Sequence, residues 1–222
     1  MKAAAIIVAG GSGKRFGSQI PKQFLNLKGK PVFLHSVEAF ASLKVFKQII
    51  IVVPEKFVPM TKSVIAGNAV TRQSEAVSGG KERFDSVKNG LALVQKDTDY
   101  IAVHDAARPL INKKDILAVL KKAVENRAAI AAEKTKDTIK TVKNGFVTQT
   151  LDRSVLWNVQ TPQIFEANLL FKAYGKKIAA NTTDDSMLIE KSGIKVAVVE
   201  TKFPNFKITA KQDLESAKQL LK

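Results

Sequence analysis

The chain has 222 residues, 45% of them apolar and 25% charged, a length suited to one α/β domain with a full core and too short for two large ones. It contains no cysteine, which excludes disulfides, thiol nucleophiles and Cys-ligated zinc; no apolar run reaches the roughly 18 residues of a membrane span, and the first residues read as a core strand rather than a signal peptide, so the expectation is a cytoplasmic protein with no membrane partner. The net charge of +16, from 30 Lys and six Arg against 20 acids, calls for an anionic partner or a lysine-rich solvated surface.

The apolar run Lys2-Ala-Ala-Ala-Ile-Ile-Val8 predicts a strand covered on both faces. It leads directly into Ala9-Gly-Gly-Ser-Gly-Lys-Arg-Phe-Gly17, where three glycines in four positions let backbone N–H groups converge on a phosphate, with Lys14, Arg15 and Lys22 as nearby cations. Two common phosphate loops are excluded by counting. A dinucleotide fingerprint starting at Gly11-x-Gly13 needs glycine at position 16, where this chain has Phe16, and a P-loop needs Ser or Thr after Gly13-Lys14, where it has Arg15.

Pro31 to Leu43 has helical apolar spacing with Pro at its opening, Gln48 to Val53 reads as a buried strand, and a short strand is expected near Val77. A second Gly-rich turn, Ser78 to Ser86, runs into a helix expected from Ser86 to Gln95. Tyr100 to Val103 is the next strand, with His104-Asp-Ala-Ala-Arg-Pro109 at its carboxyl end; Asn112 caps a helix through Asn126, and Ala128 to Ala132 is a further strand. This alternation predicts a single doubly wound, mainly parallel sheet over residues 1–222, with ligands beyond the carboxyl ends of its strands, where both Gly-rich turns and the His104–Pro109 segment converge.

Residues 137–153 break the rhythm. Thr138–Val142 and Phe146–Leu151 flank Lys143-Asn144-Gly145, the signature of a β-hairpin, read either as an appendage of its own subunit or as an arm that packs on a second copy of the chain. Beyond it come Arg153–Trp157, Gln160–Phe165, helices near Ala167–Lys177 and Asp184–Ser192, a strand at Lys195–Val199, the segment Asn205–Thr209 and a closing amphipathic helix. Four of the six arginines, Arg15, Arg83, Arg108 and Arg153, fall in the segments singled out on these other grounds, and the rigid donor fork of arginine suits phosphate and carboxylate. No basic run interleaved with aromatics supports a nucleic-acid partner.

In order and spacing, Ala9–Gly17, Pro21-Lys-Gln-Phe24, Gly79-Gly80 with Arg83-Phe-Asp-Ser86, Val103–Pro109, Asp137–Lys140, Arg153–Trp157, Thr161-Pro-Gln163 and Lys207-Ile-Thr209 resemble the 2-C-methyl-D-erythritol 4-phosphate cytidylyltransferases of the non-mevalonate isoprenoid pathway, along the whole chain. The resemblance implies a Rossmann-like nucleotidyltransferase fold with a protruding β-hairpin arm, a homodimer formed through that arm, and transfer of CMP from CTP to methylerythritol phosphate with Mg²⁺ carried on the CTP phosphates. It assigns catalytic roles to Arg15, Lys22 and Lys207. Nucleotide binding falls to Ala9, Gly10, Gly11, Ser12, Gly13, Lys14, Gly80, Lys81, Ser86, Asp105 and Ala106, and substrate binding to Asp105, Arg108, Thr138, Arg153 and Thr161. The chain departs from the family pattern at Lys81, where a small or acidic residue is expected, and at Pro204, where some relatives are acidic, so no metal ligand is assigned. His104 is read as a packing residue and not as a base. The alternatives are a ribitol 5-phosphate cytidylyltransferase and a non-catalytic basic protein that binds nucleotides or nucleic acid.

Overall fold

The computed structural model describes residues 1–11, 16, 20–179 and 182–221. Strand β1 (Ala3–Val8) is followed by a 3-10 turn at Lys22–Phe24, a small ribbon of β2 (Asn26–Leu27) and β3 (Lys30–Pro31), and helix α1 (Val32–Ala41). Next come β4 (Phe46–Val53), α2 (Val58–Ala66), β5 (Glu75–Ser78), α3 (Arg83–Leu91), β6 (Tyr100–Asp105), α4 (Lys113–Asn126) and β7 (Ala128–Lys134). The hairpin is β8 (Lys140–Lys143) and β9 (Phe146–Thr150); β10 (Trp157–Glu166), α5 (Ala167–Tyr174), α6 (Asp185–Glu190), β11 (Ala197–Glu200) and α7 (Lys211–Leu220) complete the chain.

The main sheet has the order β11-β7-β10-β6-β1-β4-β5. All its strands run parallel except β10, which lies antiparallel between β6 and β7. That insertion was not visible in the sequence, because the apolar run at Gln160–Phe165 carries no sign of its direction. Each central strand is covered on both faces, as the continuous apolar runs require. Ala3, Ala5 and Ile7 of β1 pack with Phe33 and Phe40 of α1 and Ile116 of α4, while Ala4 and Ile6 face Val87 of α3 and Leu170 of α5. Ile49 and Ile51 of β4 follow the first set, Ile50 and Val52 the second.

Several boundaries differ from expectation for local reasons. Helix α3 begins at Arg83, three residues before Ser86, because Asp85 accepts the backbone N–H of Glu82 at 3.0 Å and closes a capping box across its first turn. Strand β6 runs on through His104 and Asp105, which pair in register with Ile7 and Val8 of β1. Asn112 does cap α4, its Oδ1 accepting from the Lys114 N–H at 2.9 Å, a contact of about 1 kcal/mol. In the hairpin, Asn144 and Gly145 adopt φ of 50° and 83°, the left-handed pair that a two-residue turn between twisted strands needs.

Helix α3 approaches the sheet closely at Gly90, where an added Cβ would stand 2.7 Å from Cγ2 of Ile6 and 3.1 Å from Cγ2 of Val52. Gly90→Val should therefore destabilise the fold by about 1–3 kcal/mol through overpacking. Urea unfolding checks this; a midpoint equal to wild type would mean that α3 can retreat at no cost.

Candidate active site

The carboxyl ends of β1, β4, β5 and β6 lie on one edge of the sheet, and short backbone bonds register the loops that leave them. The Ala9 N–H donates to the Val52 carbonyl at 2.7 Å, that of Ala106 to Val8 at 2.9 Å, and that of Gly79 to Val53 at 2.8 Å. A cleft of about 600 Å³ opens over this edge. Its floor is Val8 to Gly11, one wall is Gly80 to Ser86, and Lys22, Asp105 and Lys207 stand around it.

The first loop is tied from beneath. Gln23, almost fully buried in the 3-10 turn, donates through Nε2 to the carbonyls of Ala9 at 2.5 Å and Gly11 at 2.9 Å, which fixes the course of that backbone at the cleft. Ser12, Gly13, Lys14 and Arg15 lie outside the described residues, so their expected phosphate contacts have no geometry here.

The second loop is shaped around Ser86. Its hydroxyl donates to the Glu82 carbonyl and accepts from the Gly80 N–H, both at 3.2 Å. A Cβ on Gly80 would fall 2.1 Å from Cβ of Asp85, and one on Gly79 would fall 2.7 Å from Oγ of Ser86, so this turn admits only glycine at both positions. The turn forms one wall of the cleft. Lys81 is exposed at its rim.

Asp105 is the electrostatic centre. Its Oδ2 accepts from Nζ of Lys207 at 2.7 Å, and its Oδ1 lies 3.6 Å from Nε of Arg83. Burial would raise the pKa of this carboxyl, but Lys207, Arg83 and Arg108 outweigh it and hold Asp105 well below the usual carboxylate range. Arg83 in turn donates through Nη2 to the fully buried Asp185 at 2.6 Å, and Tyr174 donates its hydroxyl to the same carboxylate. Sequence reasoning did not place Arg83, Asp185 or Gln23 in the site. The arginine concentration pointed toward Arg83, whereas nothing local marks Asp185, 102 residues away.

Thus Lys22, Lys207, Gly10, Gly11, Gly80, Lys81, Ser86 and Asp105 meet in one cleft, with Ala9 in its floor. The other expected residues among those described do not line it. Ala106 is fully buried behind the floor. Arg108 donates through Nη1 to the Asn205 carbonyl at 2.8 Å and so pins the segment that carries Lys207. Thr161 is buried beneath Asp105, its hydroxyl oxygen accepting from the Asp105 N–H and bonded to Nδ1 of His104, both at 3.0 Å. Thr138 and Arg153 are exposed at the base of the hairpin and do not line the cleft of their own chain, and Arg153 donates to the Lys136 carbonyl at 2.8 Å.

A doubly wound sheet with a glycine-lined, cation-flanked crevice beyond its carboxyl edge defines a Rossmann-like protein of the nucleotidyltransferase class. The family model for IspD, 2-C-methyl-D-erythritol 4-phosphate cytidylyltransferase, matches residues 3–222, and the chain belongs to this family. The protein of that name from Endomicrobium trichonymphae is 61% identical over 223 residues, with both chains covered completely. The chloroplastic one from Oryza sativa subsp. japonica is 37% identical, over 98% of this chain and 74% of its own length. Among solved structures, the 4-diphosphocytidyl-2C-methyl-D-erythritol synthase from Anaerococcus prevotii matches with a TM-score of 0.84 at 28% identity, covering 98% of this chain and 97% of that one.

His104, fully buried, is held neutral: burial pushes its pKa down to about 4, with Arg108 adding to the effect and Asp105 opposing it. Its Nε2–H donates to the Arg108 carbonyl at 3.3 Å and Nδ1 accepts from Thr161, a set that suits the neutral ring. Because the folded value lies below the unfolded one of about 6.5, the stability is present in full above pH 6.5 and is lost as pH falls toward 4. Between pH 7 and 5 the fold should lose about 2 kcal/mol through this group, and His104→Gln should flatten that slope in urea unfolding. Equal slopes for variant and wild type would mean that His104 takes up its proton without unfolding.

Proposed function

We propose that the chain transfers CMP from CTP to 2-C-methyl-D-erythritol 4-phosphate, giving 4-diphosphocytidyl-2-C-methyl-D-erythritol and pyrophosphate. Family membership supports the reaction, and the observation in this chain that carries it is the cleft in which Lys22 and Lys207 stand around the Val8–Gly11 floor, beside the Gly80–Ser86 wall. Cytosine and ribose lie along that wall, with Gly80, Lys81 and Ser86 around the base and Asp105 at the ribose, backed by the buried Ala106. The triphosphate runs over residues 9–15, with Arg15, Lys22 and Lys207 around the α-phosphate. The relatives named above favour methylerythritol phosphate over ribitol 5-phosphate, and the built cleft favours an enzyme over a non-catalytic basic protein.

A phosphate oxygen of the substrate attacks the α-phosphorus; that P–O bond forms as the bond to the oxygen bridging to the β-phosphate breaks, and pyrophosphate leaves. A phosphomonoester with a second pKa of about 6 is already mostly a dianion at neutral pH, so no general base is required. The barrier is the approach of two anions, and it is lowered by fixed cations and N–H groups around the reacting phosphorus. The donor set suits a Mg²⁺ that arrives on the triphosphate: the carboxylates lining the cleft are Asp105 and Glu82, and among the described residues no group of three His, Asp or Glu converges to cage an ion. Bound there, Mg²⁺ would neutralise phosphate charge. The cytoplasm, where CTP is made, is the proposed compartment; among the described residues no helix is long and apolar enough to cross a membrane.

The purified chain should release pyrophosphate from CTP and methylerythritol phosphate with Mg²⁺, and far less with ATP, GTP or ribitol 5-phosphate. Lys22→Ala should lower kcat by about a hundredfold, on the order of one lost oxyanion donor, with a smaller effect on KM for CTP. Full kcat with only weakened CTP affinity would assign Lys22 to ground-state binding instead.

The methylerythritol phosphate is reached by Thr138 and Arg153 of a partner's hairpin, in a homodimer formed through that arm, while Thr161 beneath Asp105 and Arg108 on the Asn205 carbonyl support the site from within their own subunit. Every residue of β8 and β9 is exposed, and Val142, Phe146 and Val147 are 60%, 77% and 60% exposed, a large apolar surface for an unsupported ribbon. Chains carrying Lys22→Ala and chains carrying Arg153→Ala, unfolded and refolded together, should then regain roughly a quarter of wild-type activity, since about half of randomly paired dimers are mixed and each mixed dimer has one intact site. No recovery in a mixture whose mixed dimers are seen by mass spectrometry would place both residues within one chain.

A further inference from the structure

Four charged side chains from four separate parts of the fold form one continuous row beneath the cleft: Asp185 at the start of α6, Arg83 at the start of α3, Asp105 at the end of β6, and Lys207 on the segment before α7. The row is electrically neutral and alternates in sign. Its inner end is anchored, because Asp185 is fully buried and is held by Arg83 and the Tyr174 hydroxyl. Its outer end is free to turn: the Lys207 side chain is 40% exposed, against 12% for Asp105 and 26% for Arg83. In this arrangement the ammonium of Lys207 rests on Asp105 and not over the place where phosphates bind. An anion in the cleft would draw it outward, and a largely buried carboxylate left without a cation is strongly disfavoured.

We propose that Arg83 is a positioning residue whose task is to compensate Asp105 when Lys207 turns from that carboxylate to the phosphates of the nucleotide. Asp185 holds the guanidinium by one edge while Nε faces Oδ1 of Asp105, the oxygen that Lys207 does not use. Nη1 of Arg83 is buried with no hydrogen-bond partner among the described residues. Asp105 thus stays ionised and fixed at the ribose side of the site whether or not Lys207 is on it. The planar fork of arginine can face two carboxylates at once, which the point charge of lysine cannot. The assignment rests on the CTP reading of the cleft, and it makes Lys207 a cation that is stored on Asp105 and released by the ligand.

A double-mutant cycle on CTP affinity, measured by titration calorimetry without the second substrate, tests this apart from turnover. Arg83→Gln should weaken CTP binding tenfold or more in the otherwise wild-type chain, and by less than threefold in the Asp105→Asn background, where position 105 carries no charge to compensate. Equal losses in the two backgrounds would make Arg83 an ordinary cation of the cleft, or a structural residue, and would overturn the proposal, as would unchanged affinity in the single variant or a wild type that binds no CTP. If Arg83→Gln does not fold, as judged by urea unfolding, Arg83→Lys takes its place, with a loss of threefold or more expected beside Asp105 and no measurable loss beside Asp105→Asn. A wild type that binds CTP and shows this cycle, yet releases no pyrophosphate with methylerythritol phosphate, would overturn the acceptor assignment while supporting the role of Arg83.

Discussion

Asp105 ends the middle strand of the sheet with a carboxylate that burial alone would neutralise, and the site is arranged around keeping it charged. Lys207 and Arg83 lie directly against it, and Arg108 adds its field. Each of these cations comes from a different element, so the ionised carboxylate acts as a clasp between α3, the loop after β6 and the segment leading to α7. Removing one member of such a set costs more than the set contributes, because the remainder is left as uncompensated buried charge. This constraint accounts for the placement of the supporting residues. Thr161 fixes the backbone N–H of Asp105, neutral His104 fixes Thr161, and Arg108 holds the Asn205 carbonyl two residues before Lys207.

The loops around this clasp have a second feature in common, which is that backbone borders the cleft. Gln23 ties down the carbonyls of Ala9 and Gly11, and the collisions that a Cβ would make at Gly79 and Gly80 reserve the other wall for bare main chain. Fixed N–H groups need no reorganisation when negative charge develops, which is the condition for electrostatic catalysis at a phosphorus centre. A surface with a net charge of +16 adds a long-range attraction for polyanions that ordinary salt largely screens, while the partly buried Asp105 set is screened much less.

Much of this was legible in the amino-acid order, and the parts that were not share a cause. Continuous apolar runs gave β1 and β4, Asn112 marked the start of α4, and Asn144-Gly145 marked the hairpin, because each of these rests on neighbours within a few residues. The Gly-rich turns pointed to the cleft for the same reason. The antiparallel course of β10 depends on tertiary pairing with β6 and β7, and local pattern does not encode it. Arg83 was visible as one of four arginines in suspect segments, but its partners lie 22 and 102 positions along the chain. The early start of α3 was readable in principle, since Glu82 and Asp85 have capping-box spacing. The family resemblance supplied Thr138 and Arg153, which in this chain are exposed away from its own cleft and enter the site only with a second subunit under the dimer proposal.

The central claim is that Asp105 and its cations organise a cleft for a nucleoside triphosphate at the carboxyl edge of the sheet. A crystal structure of the chain with CTP and Mg²⁺ tests it most directly. The account predicts the triphosphate over Ala9–Gly11 and Lys22, the cytosine beside Gly80 and Ser86, and the Lys207 ammonium moved from Asp105 onto a phosphate oxygen while Arg83 stays on Asp105. A nucleotide bound away from this edge, or one bound there with Lys207 still paired to Asp105, would contradict it.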